Sequence, residues 1–267
     1  MSFYFFLSGF ATIGIATLLY IWMVASKQAD FGRYGTIFAW LGVVFLAGSL
    51  ITRWVAAGHG PFSNMYEYSL SFAWGISLSY VLVERRYKAR SLGAFVLPVA
   101  AILLWYASTL PSQIDPLMPA LQNNWLLSLH VSVAIISYGI FTVSFGSAVM
   151  YLIQTEKNRI RWMPPATLLD EVSYKSVIIG FPFFALVIIL GAYWAQTAWG
   201  RYWGWDPKET ASLVTWLIYA AYLHARGLRG WRGTRAAVIL VIAFASTLFT
   251  YFGVNLVLSG LHSYAGV

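Results

Sequence analysis

The 267-residue sequence contains no cysteine. That excludes disulfides, thiolate metal sites and any thiol relay carried by the chain itself. It also leaves the chain unable to form mixed disulfides with a thiol-bearing partner. Charge is scarce: 10% of residues are charged, and only nine of these are Asp or Glu. A soluble protein of this size needs far more charge to cover its surface. No glycine-rich loop ends in Lys-Ser/Thr, which argues against ATP hydrolysis, and no H-E-x-x-H or Cys/His zinc signature occurs.

What is present is apolar. Hydrophobic residues make up 60% of the chain and mean hydropathy is +0.69. Long, nearly uncharged runs recur along the whole length, the mark of a polytopic membrane protein. The expected fold is all-α, with about eight transmembrane helices in a single domain over residues 1–267. The apolar runs lie at 2–26, 36–54, 68–84, 92–110, 125–154, 176–199, 207–225 and 236–258. The first reads as a retained helix rather than a signal peptide, because its first basic residue, Lys27, follows the run.

Charge placement orients this layout. With the loops after spans 1, 3, 5 and 7 in the cytoplasm, fourteen of the 17 basic residues lie there. Only Arg53, Arg201 and Lys208 fall on the other side. The positive-inside rule therefore puts both termini and the 194–216 stretch outside, and it accounts for the net charge of +8 without a nucleic-acid partner.

Residues 194–216, WAQTAWGRYWGWDPKETASLVTW, join two apolar runs. Tryptophan favours membrane interfaces, so an aromatic belt is one reading. A belt spreads its rings over many helix ends. Here Trp199, Trp203 and Trp205 crowd into seven residues with Gly200 and Gly204 between them, which favours a platform for a large, planar, mostly apolar ligand. Asp206-Pro207-Lys208-Glu209 has the pattern of a helix start: an N-cap, Pro at the first position and Glu completing a capping box. The positive end of that helix would face whatever sits on the platform and favour carboxylates there.

Four histidines remain. His130 stands five residues into span 5, about 8 Å below its outer end, and His262 follows the outer end of span 8. Both are expected at the depth of the tryptophans, where two neutral imidazoles suit the axial positions of haem iron. His224 lies 17 residues beyond Pro207, about 25 Å deeper. It reads as a second, inner site whose other ligand must come from another subunit, or as a helix-end histidine bonded to a carbonyl. His59, between Gly58 and Gly60, reads either as part of the site mouth or as part of a turn built on Gly58, Gly60 and Pro61, and the turn is favoured slightly.

The stretch WGRYWGWDPKET (199–210) followed by LVTWLIYAAYLHAR resembles the tryptophan-rich WWD signature of the haem-handling superfamily. Three further stretches resemble its CcsA/ResC branch, of system II cytochrome c biogenesis. They are TRWVAAGHGPFSNMYEYSLSFAWG (52–75), LLDEVSYKSVIIGFPFFALVIILGAYWAQTAW (168–199) and YFGVNLVLSGLHSYAG (251–266). The resemblance covers most of the chain from about residue 50 onward. It implies that His130 and His262 ligate an outer haem over Trp199, Trp203, Trp205, Asp206 and Trp216. It implies equally that His224 ligates an inner haem, with a histidine of a CcsB/ResB-type subunit opposite.

The haem would be b-type, held non-covalently and handed to a CxxCH apocytochrome c, which thioredoxin-like proteins keep reduced. The membrane would be a bacterial cytoplasmic membrane or a thylakoid. Ala211 departs from the pattern, since many members carry another tryptophan there. Without a fused companion domain the chain is expected not to act alone. Two rivals are a CcmC-like carrier that passes haem to a chaperone, and a polytopic protein whose tryptophans form only a belt.

Overall fold

The computed structural model describes residues 1–114, 124–154, 158, 160 and 162–254. Among them are eight α-helices and no strand: α1 (Ser2–Ser26), α2 (Asp30–Ala57), α3 (Met65–Tyr87), α4 (Gly93–Ser108), α5 (Asn124–Gln154), α6 (Ala166–Trp199), α7 (Pro207–Leu228) and α8 (Thr234–Leu248). A single 3-10 turn, Arg90–Leu92, precedes α4, and a π-helical turn, Phe249–Gly253, follows α8.

Among the described residues six segments are long and apolar enough to cross a membrane: α1, α2, Arg90–Ser108, Trp125–Gln154, α6 and Thr234–Gly253. The two helices outside this set, α3 and α7, are the least apolar of the eight. Charge explains the difference. Helix α3 carries Glu67 and Glu84, and both are buried inside the bundle. Apolar periodicity also accounts for the early start of α6, ten residues before its apolar run. Ala166, Leu169, Val172, Ser173, Ser176 and Val177 repeat at helical spacing on its buried face, while Asp170 and Glu171 break the hydropathy.

The helices alternate in direction. At one end, called here the Trp-turn end, Ser49 of α2 donates to the Ser2 carbonyl, Phe6 meets Tyr66, and Tyr106 of α4 meets Phe252. Helix α5 is the hub and packs against α3, α4, α6 and α8. Helices α1 and α2 form an antiparallel hairpin laid against α3 and α4.

The opposite end is held by carboxylates. Glu84 of α3 accepts from the hydroxyls of Tyr20 (α1), Thr36 (α2) and Tyr80, each at 2.5 Å, and Arg90 stands 3.7 Å away. One buried carboxylate thus joins three helices. Asp170 of α6 receives both terminal nitrogens of Arg226 of α7, at 2.7 and 2.5 Å, and the guanidinium lies 4.5 Å from the Tyr174 ring centre.

Hydrogen bonds to a charged acceptor contribute about 1.5–3 kcal/mol each. Tyr20→Phe is therefore expected to lower stability by about that amount, read as a drop in the thermal unfolding midpoint in detergent. Ser26→Ala, whose hydroxyl bonds an exposed carbonyl of its own helix, should move the midpoint little.

Candidate functional site

Helix α6 ends at Trp199, Gly200 takes a left-handed conformation, and seven residues later α7 begins. The start of α7 is the one its sequence spells out. Asp206 caps it, accepting from the Lys208 amide at 3.0 Å, Pro207 is the first helical residue, and Glu209 closes the capping box. One oxygen of Glu209 does more than cap. It accepts from the amides of both Gly204, at 2.8 Å, and Asp206, at 3.2 Å. These two amides flank Trp205, whose φ is +55°. That backbone region disfavours side chains with a Cβ, so the Glu209 bridge holds Trp205 in a conformation it would otherwise leave.

The tryptophans form two edge-on pairs. Trp203 and Trp205 have ring centres 5.7 Å apart, and Trp194 and Trp199 are separated by 5.1 Å. Trp194 is fully buried, whereas Trp205 is 69% exposed.

Beneath this turn lies a cavity of about 110 Å³. Its walls come from α3 (Tyr68, Phe72), α5 (His130, Ala134, Tyr138), α6 (Gly191, Trp194), the turn and α7 (Trp203, Lys208, Ser212), and the π-helical turn (Thr250, Tyr251). Gly191 gives His130 its place: a Cβ there would stand 2.9 Å from His130 Cε1. The π-helical turn brings consecutive residues, Thr250 and Tyr251, to the same wall. Tyr251 also shares a hydrogen bond with Ser69 at 2.9 Å, and its ring meets Phe72 edge-on.

The wall's chemistry is that of a ligand with three parts. His130 offers an imidazole to a metal, the rings of Tyr68, Phe72, Tyr138, Trp194 and Trp203 cover an apolar plane, and Lys208 with the positive end of α7 favours an anionic edge. An iron porphyrin with carboxylate side chains fits this donor set.

Of the residues expected from sequence, His130 and Trp203 share the cavity wall. Trp199 packs behind Trp194, Trp205 stands exposed beside Trp203, and Asp206 serves as the helix cap. Trp216 lies nine residues into α7, stacked on Phe181 at 5.0 Å and away from the cavity wall. His224 is near the opposite end of α7 and exposed. His262 lies outside the described residues. His59 is buried and donates from Nδ1 to the Gly60 carbonyl at 2.9 Å, as a turn residue would. Sequence reasoning passed over Lys208, Gly191, Tyr68, Tyr138 and Tyr251. The stripe His130, Ala134, Tyr138, each four residues apart, was the available signal.

These features define a class: an all-helical membrane-type bundle that walls a ligand cavity with a histidine and a tryptophan-rich turn. Within that class, the chain belongs to the cytochrome c assembly protein family, whose sequence pattern matches residues 62–262. It is 37% identical to the cytochrome c biogenesis protein CcsA of Guillardia theta over 265 residues, covering 89% of this chain and 87% of that protein. It is also 37% identical to CcsA of Prochlorococcus marinus, over 97% of this chain and 92% of the relative. Among solved structures it shares the fold of the cytochrome c haem lyase CcmF, with a TM-score of 0.75 and 19% identity. That alignment covers 94% of this chain and 46% of CcmF.

The Glu209 bridge yields a paired prediction. Glu209→Ala should lower stability by about 1–2 kcal/mol through loss of the cap. Trp205→Gly should raise it by about 1 kcal/mol or more, because glycine carries no penalty in the left-handed region. Thermal unfolding in detergent reads both.

Proposed function

We propose that this chain works in cytochrome c biogenesis as the haem-presenting subunit of a two-subunit synthetase. The observation that carries the reading is the single cavity in which His130 faces Trp194, Trp203 and Lys208 beneath the Trp-rich turn. Haem, the b-type cargo, supplies the iron and the vinyl groups, and the apocytochrome supplies the thiols of its CxxCH motif. Each thiol adds across one vinyl group. A carbon–sulfur bond forms, the thiol proton passes to the neighbouring carbon, and no oxidant is consumed.

The chain's own part is placement. His130 and His262 would hold the iron, the indoles of Trp194 and Trp203 would cover the ring with Trp199 packed behind and Trp205 beside them, and the Asp206 cap would aim the positive end of α7 at the carboxylate edge. With no cysteine of its own, the chain cannot divert the substrate thiols.

Eight alternating helices would place both termini on one side of the membrane. The charge bias puts the Trp-rich turn on the same side, periplasmic or lumenal. In this layout α3 crosses the membrane within the bundle, and α7 crosses it at the bundle's edge against α6 and α8. The exposed position of His224 supports an inner haem shared with a CcsB/ResB-type subunit, whose histidine would take the opposite axial site.

The test is co-purification with that subunit and absorption spectroscopy of the reduced complex. His130→Ala should remove the low-spin bis-histidine signal of the outer haem, and added imidazole should restore it. His224→Ala should leave the outer ligation intact but cut haem loading several-fold. A wild-type spectrum in the His130 variant would overturn the outer-site assignment. Formation of covalent c-type haem in cells given only the two subunits separates a synthetase from a carrier.

A further inference from the structure

We infer that the buried ion pair Arg53–Glu67 is the positioning element of the cavity: it ties residues 112–113, beyond α4, to the α2–α3 loop that packs on the start of α5, the helix that carries His130. The inference rests on the haem reading for its spectroscopic arm only.

Arg53 directly precedes the last turn of α2, and Glu67 is in the first turn of α3. Their side chains are 2% and 0% exposed, with Nε 2.5 Å from Oε1. Such a pair contributes little net stability, because the cost of desolvating two charges offsets their attraction. Its remaining hydrogen-bonding capacity goes to loops. Arg53 Nη1 and Nη2 donate to the carbonyls of Ser112 and Gln113, each at 2.7 Å, in the connection leading from α4 toward α5. The second oxygen of Glu67 accepts from both the amide and the hydroxyl of Ser63, each at 2.7 Å.

Ser63 belongs to the α2–α3 loop, which presses on α5 directly. A Cβ at Gly60 would stand 2.6 Å from the Ser128 side-chain oxygen, two residues before His130. Tyr68, a wall residue of the cavity, follows Glu67 in the same turn of α3. A planar guanidinium fork fixes two carbonyls at once in a way an ammonium cannot. One pair therefore sets residues 112–113 beyond α4, the α2–α3 loop beside α5 and the first turn of α3.

Removing one partner would strand a buried charge and unfold the chain. The test is instead the double variant Arg53→Met/Glu67→Leu, made in the full complex with the companion subunit. Apolar replacement of both charges should leave the unfolding midpoint within a few degrees of wild type. Two readouts follow.

The first is the outer haem. Imidazole should displace the His130 ligand at a concentration roughly tenfold or more below that needed for wild type. The His224-dependent haem should not change, and Arg53→Lys should fall between. The second readout needs no haem. The chain has no cysteine, so a spin label on Gln113→Cys reports one position. The label should be immobile in an otherwise wild-type chain and mobile in the double variant.

A folded double variant with wild-type imidazole displacement and an immobile label would show the pair to be a stability device and overturn the inference. A mobile label in the otherwise wild-type chain would overturn it too. If the wild-type complex shows no His130-dependent signal, the haem reading fails, while the label still decides the clamp.

Discussion

A carboxylate inside a membrane-type bundle has to be met locally, because no water is at hand to solvate it. This constraint organises the structure more than any apolar contact does. Glu67 and Glu84 sit near the two ends of α3, and each draws donors from different elements: Arg53 and Ser63 at one end, Tyr20, Thr36 and Tyr80 at the other. Helix α3 becomes the post to which the α1–α2 hairpin is fastened at both ends. Asp170 with Arg226 does the same for α6 and α7. Non-directional burial lets helices slide along one another, whereas these bonded carboxylates fix their register.

With register fixed, the cavity has defined walls. It is bounded by five elements, and each is tied at a known point: α3 by Asn64 and Glu67, α7 by its capping box, the π-helical turn by Tyr251 and Ser69, and α5 against α6 by His130 on Gly191. The proposed role, holding a large planar ligand while admitting a second reactant, would need walls set to within fractions of an ångström. Rigid helices and a stapled turn supply them, and mobile side chains could not.

How much of this was legible in the sequence depends on how far apart the interacting residues lie. The start of α7 was readable in full, because a capping box is complete within four residues. The helical class and the position of each helix followed from apolar runs. The start of α6 did not, since Asp170 and Glu171 lower the local hydropathy of an amphipathic stretch that packs well. The buried pairs were out of reach. Arg53 and Glu67 are 14 residues apart, and Tyr20 and Glu84 are 64 apart, so neither shows a local pattern. His130 and Trp203 were chosen by chemistry and meet in one cavity. Gly191 escaped notice because a glycine within an apolar run looks like filler until the ring beside it is seen.

The oxygen of Glu209 that bridges the amides on both sides of Trp205 has a mechanical consequence. The first turn of α7 and the indole beyond it share that anchor, so they lack separate degrees of freedom. Helix α7 is 22 residues long, about 33 Å at helical rise. Near its other end is the Arg226–Asp170 joint, two residues from His224. A shift of the first turn of α7 would therefore carry the Trp205 backbone with it.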